Sequence, residues 1–162
     1  MHAAEHGFDI IVHLLAESEA GMQDVDGYTG LMIAANLGYT LVITELRDYE
    51  AGMQCARGYT ALMYAAAAGH KDAVAALAPF EACIQTCASE GNPNNNSTIT
   101  NPACEVSETT GITALMLAVE AGSVDCVNIL WPLEHHINDA QGMAPIHYAC
   151  SEPMRNLLRS YQ

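Results

Sequence analysis

The chain repeats itself every 31 residues. Glu-Ala-Gly-Met-Gln occupies positions 19–23 and again 50–54, and Gly-Tyr-Thr occupies positions 27–29 and again 58–60. The step then grows to 53 between Gly58 and Gly111, and it grows by the same amount between Gly69 and Gly122. This is 31 plus an insertion of 22 residues. Two landmarks that stay in register through the insertion predict a stack of similar units.

Within one unit the pattern predicts a turn, a short helix, a second turn and a second helix. Asp24–Gly27 has turn composition, Thr29 is a suitable helix N-cap, and Gly38 is placed to end the first helix. The second helix is predicted over 39–49, and its apolar stripe consists of Val42, Ile43 and Leu46. Because neither helix is long enough to be stable alone, each unit needs a neighbour to pack against.

The sequence Gly-Tyr-Thr-Ala-Leu-Met-Tyr-Ala-Ala-Ala-Ala-Gly-His at 58–70 resembles the signature of the ankyrin repeat. Pro145 and His147 of the last unit match that signature as well. The resemblance covers everything outside the insertion and implies an all-α ankyrin-repeat solenoid of about four and a half repeats. The predicted repeats span 1–22 (partial), 23–53, 54–84, 107–137 and 138–162, with an insertion loop at 85–106. We expect either a frayed N-terminal end or a longer natural protein.

Two positions depart from the family pattern. The aspartate that the family carries three residues before the turn glycine is present as Asp24 and Asp139, becomes Glu108 in the fourth repeat, and is replaced by Cys55 in the third. No repeat holds both the threonine and the histidine of the signature. The hydrogen bond that these two side chains form in the family is therefore expected to be absent.

The charge of the chain limits the kinds of molecule that it can bind, and its cysteines indicate the compartment in which it is found. Nineteen acidic against five basic residues give a net charge of −14, which argues against binding nucleic acid or an anionic membrane surface. No apolar run approaches the roughly 18 residues of a membrane span. The six cysteines have no export signal beside them, so we expect reduced thiols, a cytoplasmic location, and Cys126 and Cys150 in the core.

Two sets of residues have metal-binding patterns. His2, Glu5 and His6 match an inverted zinc-protease motif, which makes a zinc-dependent hydrolase one alternative function. Cys83, Cys87 and Cys104, with His135 or His136 as a further candidate ligand, form the second set, a loosely spaced structural zinc site. The first motif coincides with variable repeat positions and the second lacks paired Cys-x-x-Cys spacing, so we expect no catalysis, no cofactor and no metal.

The family resemblance implies a non-catalytic protein-interaction scaffold that binds through its concave and turn surface. The position after each turn glycine carries a large side chain, and we expect these four residues to form an exposed ladder: Tyr28, Tyr59, Ile112 and Met143. The predicted partner is another protein, with a basic surface, and the chain itself is expected to be a monomer. The alternative is a regulatory or structural array in a larger, for example kinase-linked, protein. The predicted partner-binding residues are Val25, Asp26, Tyr28, Asn36, Arg57, Tyr59, Thr110, Ile112, Glu120 and Met143.

Overall fold

The computed structural model describes residues 2–5, 12, 20–86 and 110–161, and within these ranges the regular structure is helical. The α-helices are α1 (His2–Glu5), α2 (Gly30–Leu37), α3 (Thr40–Glu50), α4 (Ala61–Ala68), α5 (Lys71–Glu81), α6 (Ala114–Glu120), α7 (Val124–Glu134) and α8 (Glu152–Ser160). A 3₁₀ turn, Pro145–Tyr148, precedes α8. The predicted all-α repeat fold is confirmed.

The first helices α2, α4 and α6 begin directly after the threonines that the sequence predicts as N-caps, and in two of the three the threonine side chain caps the helix. Thr29 and Thr113 accept hydrogen bonds from the N–H groups of Met32 and Met116, which satisfies one exposed donor at each helix start. Gly38 ends α2 in the left-handed region at φ 76°, a conformation that glycine adopts without steric penalty. These local signals set the lengths of the short helices.

The helices form two layers. The first helices α2, α4 and α6 contact one another in sequence, as do the second helices α3, α5 and α7 behind them. Ala34, Ala35, Ala65 and Ala66 have no solvent exposure, because the first helices approach closely at these small residues. The predicted stripe Val42, Ile43 and Leu46 is buried between the layers.

A buried glutamate ends each of the second helices α3, α5 and α7 and connects adjacent repeats. Glu50 accepts the N–H of Leu31 in its own repeat at 2.7 Å and that of Gly21 in the preceding repeat at 3.1 Å. Glu81 contacts Leu62 and Gly52 in the same way, and Glu134 contacts Leu115 and Cys83. Because buried N–H groups need acceptors, these carboxylates hold the repeats in register.

A row of side-chain amides links the turns. Gln23, Gln54 and Gln85 each donate to the carbonyl of their own turn glycine, at positions 27, 58 and 111, over 2.8 Å. Each of these glutamines also donates to the backbone carbonyl of the equivalent residue in the next repeat, which is Gln54, Gln85 and Asn138 respectively. The row is continuous across the insertion.

The insertion interrupts the tip of the fourth turn and leaves the base of the turn intact. Thr86 accepts the N–H of Gly111 on its carbonyl and the N–H of Ile112 on its hydroxyl. In the same way, Asp139 accepts the N–H of Gly142 on its carbonyl and that of Met143 on its carboxylate. Gln85 and Thr86 therefore belong to the turn, and the predicted start of the insertion at residue 85 is wrong. Thr86 thus occupies the turn position of the family's aspartate, for which the sequence predicted Glu108. Glu108 itself lies outside the described residues.

The last unit has a shorter first helix than the three units before it. Its first helix is reduced to the 3₁₀ turn, and Pro153, at the position where the other units have the glycine after this helix, lies in the first turn of α8. Cys150 follows the turn and is exposed, so the prediction that it lies in the core is wrong. Cys126 is buried as predicted.

Candidate binding surface

The turns before the first helices lie side by side and define one surface, which we call the turn face. It consists of the turn residues 23–28, 54–59, 110–112 and 138–143 and the exposed side of the first helices. Backbone hydrogen bonds join neighbouring turns, from the N–H of Ala56 to the carbonyl of Asp26 and from the N–H of Ala140 to that of Thr110. These bonds fix the spacing of side chains along the face.

The structure places nine of the ten predicted partner-binding residues where solvent reaches them. Val25 is 84% exposed, and Asn36, Arg57, Glu120 and Met143 are exposed as well. The half-buried residues are Asp26, Tyr28, Tyr59 and Thr110.

Ile112 is 4% exposed, so the expectation of an exposed ladder through this position is wrong. Because an aliphatic side chain has no polar group that favours contact with water, Ile112 packs into the core. The ladder is interrupted in the fourth repeat.

Three tyrosines form a cluster on the turn face. The ring of Tyr64, on α4, lies between those of Tyr28 and Tyr59, with centroid distances of 5.6 and 5.7 Å. Both distances are typical of attractive aromatic pairs. The Tyr64 hydroxyl lies 3.5 Å from the thiol of Cys55, the residue that replaces the turn aspartate. Burial, followed by hydrogen bonding to Cys55 and Tyr28, raises the pKa of Tyr64, which therefore stays protonated.

A second cluster lies further along the same face. The Tyr148 hydroxyl donates to Asp139 at 2.5 Å, while the other carboxylate oxygen of Asp139 accepts the N–H groups of Gln141 and Met143. Burial acts to raise the pKa of Asp139, but these hydrogen bonds outweigh it and hold that pKa below its ordinary value. Burial, the Asp139 hydrogen bond and the nearby charges of Asp139 and Glu120 raise the pKa of Tyr148.

Sequence reasoning missed Tyr64 and Tyr148, which complete these clusters. Tyr64 is the fourth residue of α4, and Tyr148 is the fourth residue of the 3₁₀ turn. The corresponding residues of α2 and α6 are Ile33 and Leu117. The offsets of 31 and 53 link these four residues as they link the turn glycines. Comparing the first-helix residues that face the turns at the same offsets would therefore have identified both tyrosines from the sequence.

The structure does not test the two metal hypotheses. Glu5 lies on α1, but His6 and the side chain of His2 lie outside the described residues, as do Cys87 and Cys104. Where the structure describes side chains, no three His, Cys, Asp or Glu residues are grouped closely enough to hold a metal ion. Among the described helices, none combines the length and the apolar character needed to cross a membrane.

Comparison with known families gives one result. The family model described as "Ankyrin repeats (3 copies)" matches residues 1–88 and again residues 83–160. Together the two matches cover nearly the whole chain. No curated protein sequence matches it significantly.

Proposed function

Because the chain belongs to the ankyrin-repeat family, we propose that it is a non-catalytic scaffold that binds another protein through its turn face. Ankyrin repeats are in general modules for protein–protein interaction. The observation that carries the proposal is the row of partly exposed aromatic side chains, Tyr28, Tyr64, Tyr59 and Tyr148, held on a rigid stack. Tyrosine provides a large contact area at low cost in conformational entropy, and it is enriched at the centres of protein interfaces.

The neighbouring side chains on the turn face support the same assignment. Val25 projects almost fully into solvent, and Met143 is exposed at the other end of the row. Near the ends of the first helices, Asn36, Ala67 and Glu120 occupy equivalent positions and are exposed, and Leu37 at the end of α2 adds an apolar side chain that is 41% exposed. These residues extend the surface that a partner can contact beyond the tyrosines.

The proposal includes a monomeric protein in the cytoplasm. The cytoplasmic location is supported by the unpaired state of Cys55, Cys83, Cys126 and Cys150 among the described residues, which is typical of a reducing compartment. Sedimentation of the purified chain and fractionation of the source cells test these two points.

Site-specific photo-crosslinking tests the proposal directly. A photoreactive amino acid replaces Val25 on the turn face or, as the matched control, Leu41 on α3, which is 66% exposed in the second-helix layer. We expect a crosslinked protein from position 25 and none from position 41. Substituting Tyr28→Ala together with Tyr59→Ala should abolish the crosslink.

Either of two results would reject the turn face as the binding surface. One is a crosslink from position 41 that equals or exceeds that from position 25. The other is a crosslink at position 25 that survives the double tyrosine substitution while the helix content measured by circular dichroism is unchanged.

A further inference from the structure

The ends of the second helices carry exposed apolar side chains at equivalent positions. Tyr49, Phe80 and Leu133 are the penultimate residues of α3, α5 and α7, and they are 53%, 46% and 39% exposed. A second row of partly exposed apolar residues follows the three helices. We call the two rows together the helix-end strip, which consists of Tyr49, Phe80, Leu133, Met53, Ile84 and Ile137.

Contacts between neighbouring repeats make the strip continuous. The Cδ1 atom of Ile84 lies 4.0 Å from the point that a Cβ on Gly52 would occupy, so the Ile84 side chain lies against the preceding repeat. The Sγ of Cys83 donates to the backbone carbonyl of Leu133 in the following repeat, at 3.5 Å. Apolar side chains that form a continuous exposed patch, unlike isolated ones, indicate a contact surface.

The carboxylates within the strip are buried. In the described segments 49–53, 80–84 and 133–137, every carboxylate belongs to a glutamate that is at most 4% exposed. The guanidinium of Arg47 borders the strip, 5.1 Å from the centre of the Phe80 ring, and leaves part of that ring exposed. The remaining residues of the three segments are Ala51, Gly52, Ala82, Cys83, His135 and His136. A partner can therefore contact the apolar side chains without desolvating a carboxylate.

The area of the strip fits a single bound segment better than a second copy of this chain. A fully exposed aromatic side chain offers about 150–250 Å² to a partner, and about half of that is available at Tyr49 and at Phe80. With the smaller exposed areas of the other four residues, the strip offers on the order of 300–400 Å². A stable dimer buries about 800 Å² on each subunit, which is roughly twice as much.

The strip favours a helix as its occupant, because the backbone groups along it are already hydrogen-bonded. The N–H groups of Gly52 and Cys83 donate to buried glutamates of the next repeat, and those of the second row donate to backbone carbonyls. An extended segment would leave its own N–H and C=O groups against apolar side chains, which is costly. A helix satisfies these groups internally and can present one apolar face.

The spacing of the strip also matches a helix. Neighbouring packed helices lie about 8–10 Å apart, so the exposed side chains of successive repeats are separated by about that distance. Seven residues of an α-helix advance about 10.5 Å, so one apolar side chain in every two turns of a bound helix would meet each repeat.

We infer that the helix-end strip binds an amphipathic helix of a partner protein. The helix lies across the ends of α3, α5 and α7, and its apolar face packs on Tyr49, Phe80 and Leu133. This inference goes beyond the proposed function, because the strip lies at the ends of the second helices and shares no residue with the turn face.

Fluorescence anisotropy with two labelled peptides tests the inference. One is a designed helix of about 21 residues, long enough to span three repeats, with leucine at the first and fourth positions of each heptad and lysine, glutamine and alanine elsewhere. The other has the same composition, but its leucines are spread around the helix so that no apolar face forms. We expect the amphipathic peptide to bind at least about tenfold more tightly. Because both peptides carry the same charge, attraction to the net charge of −14 cannot cause this difference.

Two substitutions of the same kind locate the site. Leu133→Ser removes an apolar side chain from the strip, and Leu41→Ser removes one that is 66% exposed at the other end of α3. Leu133→Ser should weaken binding of the amphipathic peptide by about three- to tenfold, and Leu41→Ser by less than about twofold. Phe80→Ser, at the centre of the strip, should weaken it by at least about tenfold. Circular dichroism checks the fold of each variant, and the comparison of the two peptides on the wild-type protein does not depend on the variants.

Equal binding of the two peptides would overturn the inference, and so would equal effects of Leu133→Ser and Leu41→Ser. A dimer of the free protein that Phe80→Ser dissociates in sedimentation would identify a second copy of the chain as the occupant and would also overturn it. None of these results involves the crosslink at Val25, so the partner-binding role of the turn face is tested separately.

Discussion

Glu81 accepts a hydrogen bond from the backbone N–H of Gly52 at 3.0 Å, and the two residues belong to successive repeats. The second carboxylate oxygen accepts the N–H of Leu62 at 2.6 Å, near the start of α4. Burial outweighs these two bonds and raises the pKa of Glu81. One side chain thus satisfies donors in two repeats, at the expense of desolvating a carboxylate.

Glu81→Gln should lower the free energy of unfolding by about 1–3 kcal/mol. Glutamine has one oxygen acceptor in place of two, and its amide group would direct a donor at a backbone N–H. One buried donor therefore loses its partner, although the substitution removes a buried charge and keeps the side-chain size. Urea denaturation followed by circular dichroism measures the change.

The matched control is Asp48→Asn, at an exposed carboxylate on α3. It should change the free energy of unfolding by less than about 0.5 kcal/mol. If Glu81→Gln were as mild as this control, the buried glutamates would not hold the repeats together.

Leu62→Ala should lower the free energy of unfolding by roughly 2–5 kcal/mol. Leu62 has no solvent exposure, and truncating it leaves a cavity between α4 and its neighbours. Leu41→Ala, in which the parent side chain is 66% exposed, makes the same chemical change at the surface of α3 and should cost under about 1 kcal/mol. Equal shifts in the urea midpoints of the two variants would contradict the packing described for α4.

The helices could be predicted from sequence because their limits depend on local chemistry. Thr29 and Gly38 determine the start and end of α2 through their own backbone preferences. The equivalent residues at the repeat offset predict the limits of the corresponding helices in the other repeats. The start of the insertion could not be predicted in this way. The step from Gly58 to Gly111 gives the length of the insertion but not its position, and only the hydrogen bonds of Thr86 show that the turn base continues past residue 85.

The candidate surface was predicted less completely, because exposure depends on contacts between repeats. Tyr28 and Ile112 occupy equivalent positions in sequence, but the tyrosine stays half-buried against the core and the isoleucine is part of it. The glutamates were missed for a related reason. Glu50, Glu81 and Glu134 follow the offsets of 31 and 53, yet a glutamate is ordinarily exposed, and its burial follows only from the backbone donors around it.

Two turn glycines with the same backbone conformation should respond differently to alanine. Gly27 has φ +81° and Gly142 has φ +80°, so alanine at either position meets the steric penalty of the left-handed region, about 1–2 kcal/mol. A Cβ at Gly27 would also lie 2.9 Å from the backbone nitrogen of Ala56 in the next turn, whereas one at Gly142 would meet nothing within 4 Å.

Gly27→Ala should therefore be more destabilising than Gly142→Ala by roughly a further 1–3 kcal/mol, because the neighbouring turn must move. Thermal unfolding of the two variants gives the comparison. If Gly142→Ala proved the more destabilising, successive turns would not be packed as closely as the hydrogen bond between Asp26 and Ala56 indicates.

The hydrogen bonds of Asp139 should make its contribution to stability depend on pH. Its pKa is lower in the folded protein than the ordinary value of 3.8, so the folded state favours the charged form. The stabilisation is therefore fully present above pH 3.8 and is lost as the pH falls through the lowered pKa. Urea denaturation of the wild type and of Asp139→Asn should show a larger difference in unfolding free energy at pH 6 than at pH 3.

The Tyr148 hydroxyl contributes to this effect, since it donates directly to the Asp139 carboxylate. In a Tyr148→Phe background, the pH dependence of the difference caused by Asp139→Asn should therefore be smaller. The raised pKa of Glu81 acts in the opposite direction, favouring the folded state at low pH, but it is common to both proteins in each comparison and cancels. A difference between wild type and Asp139→Asn that is the same at both pH values would show that the carboxylate charge is not stabilised by this turn.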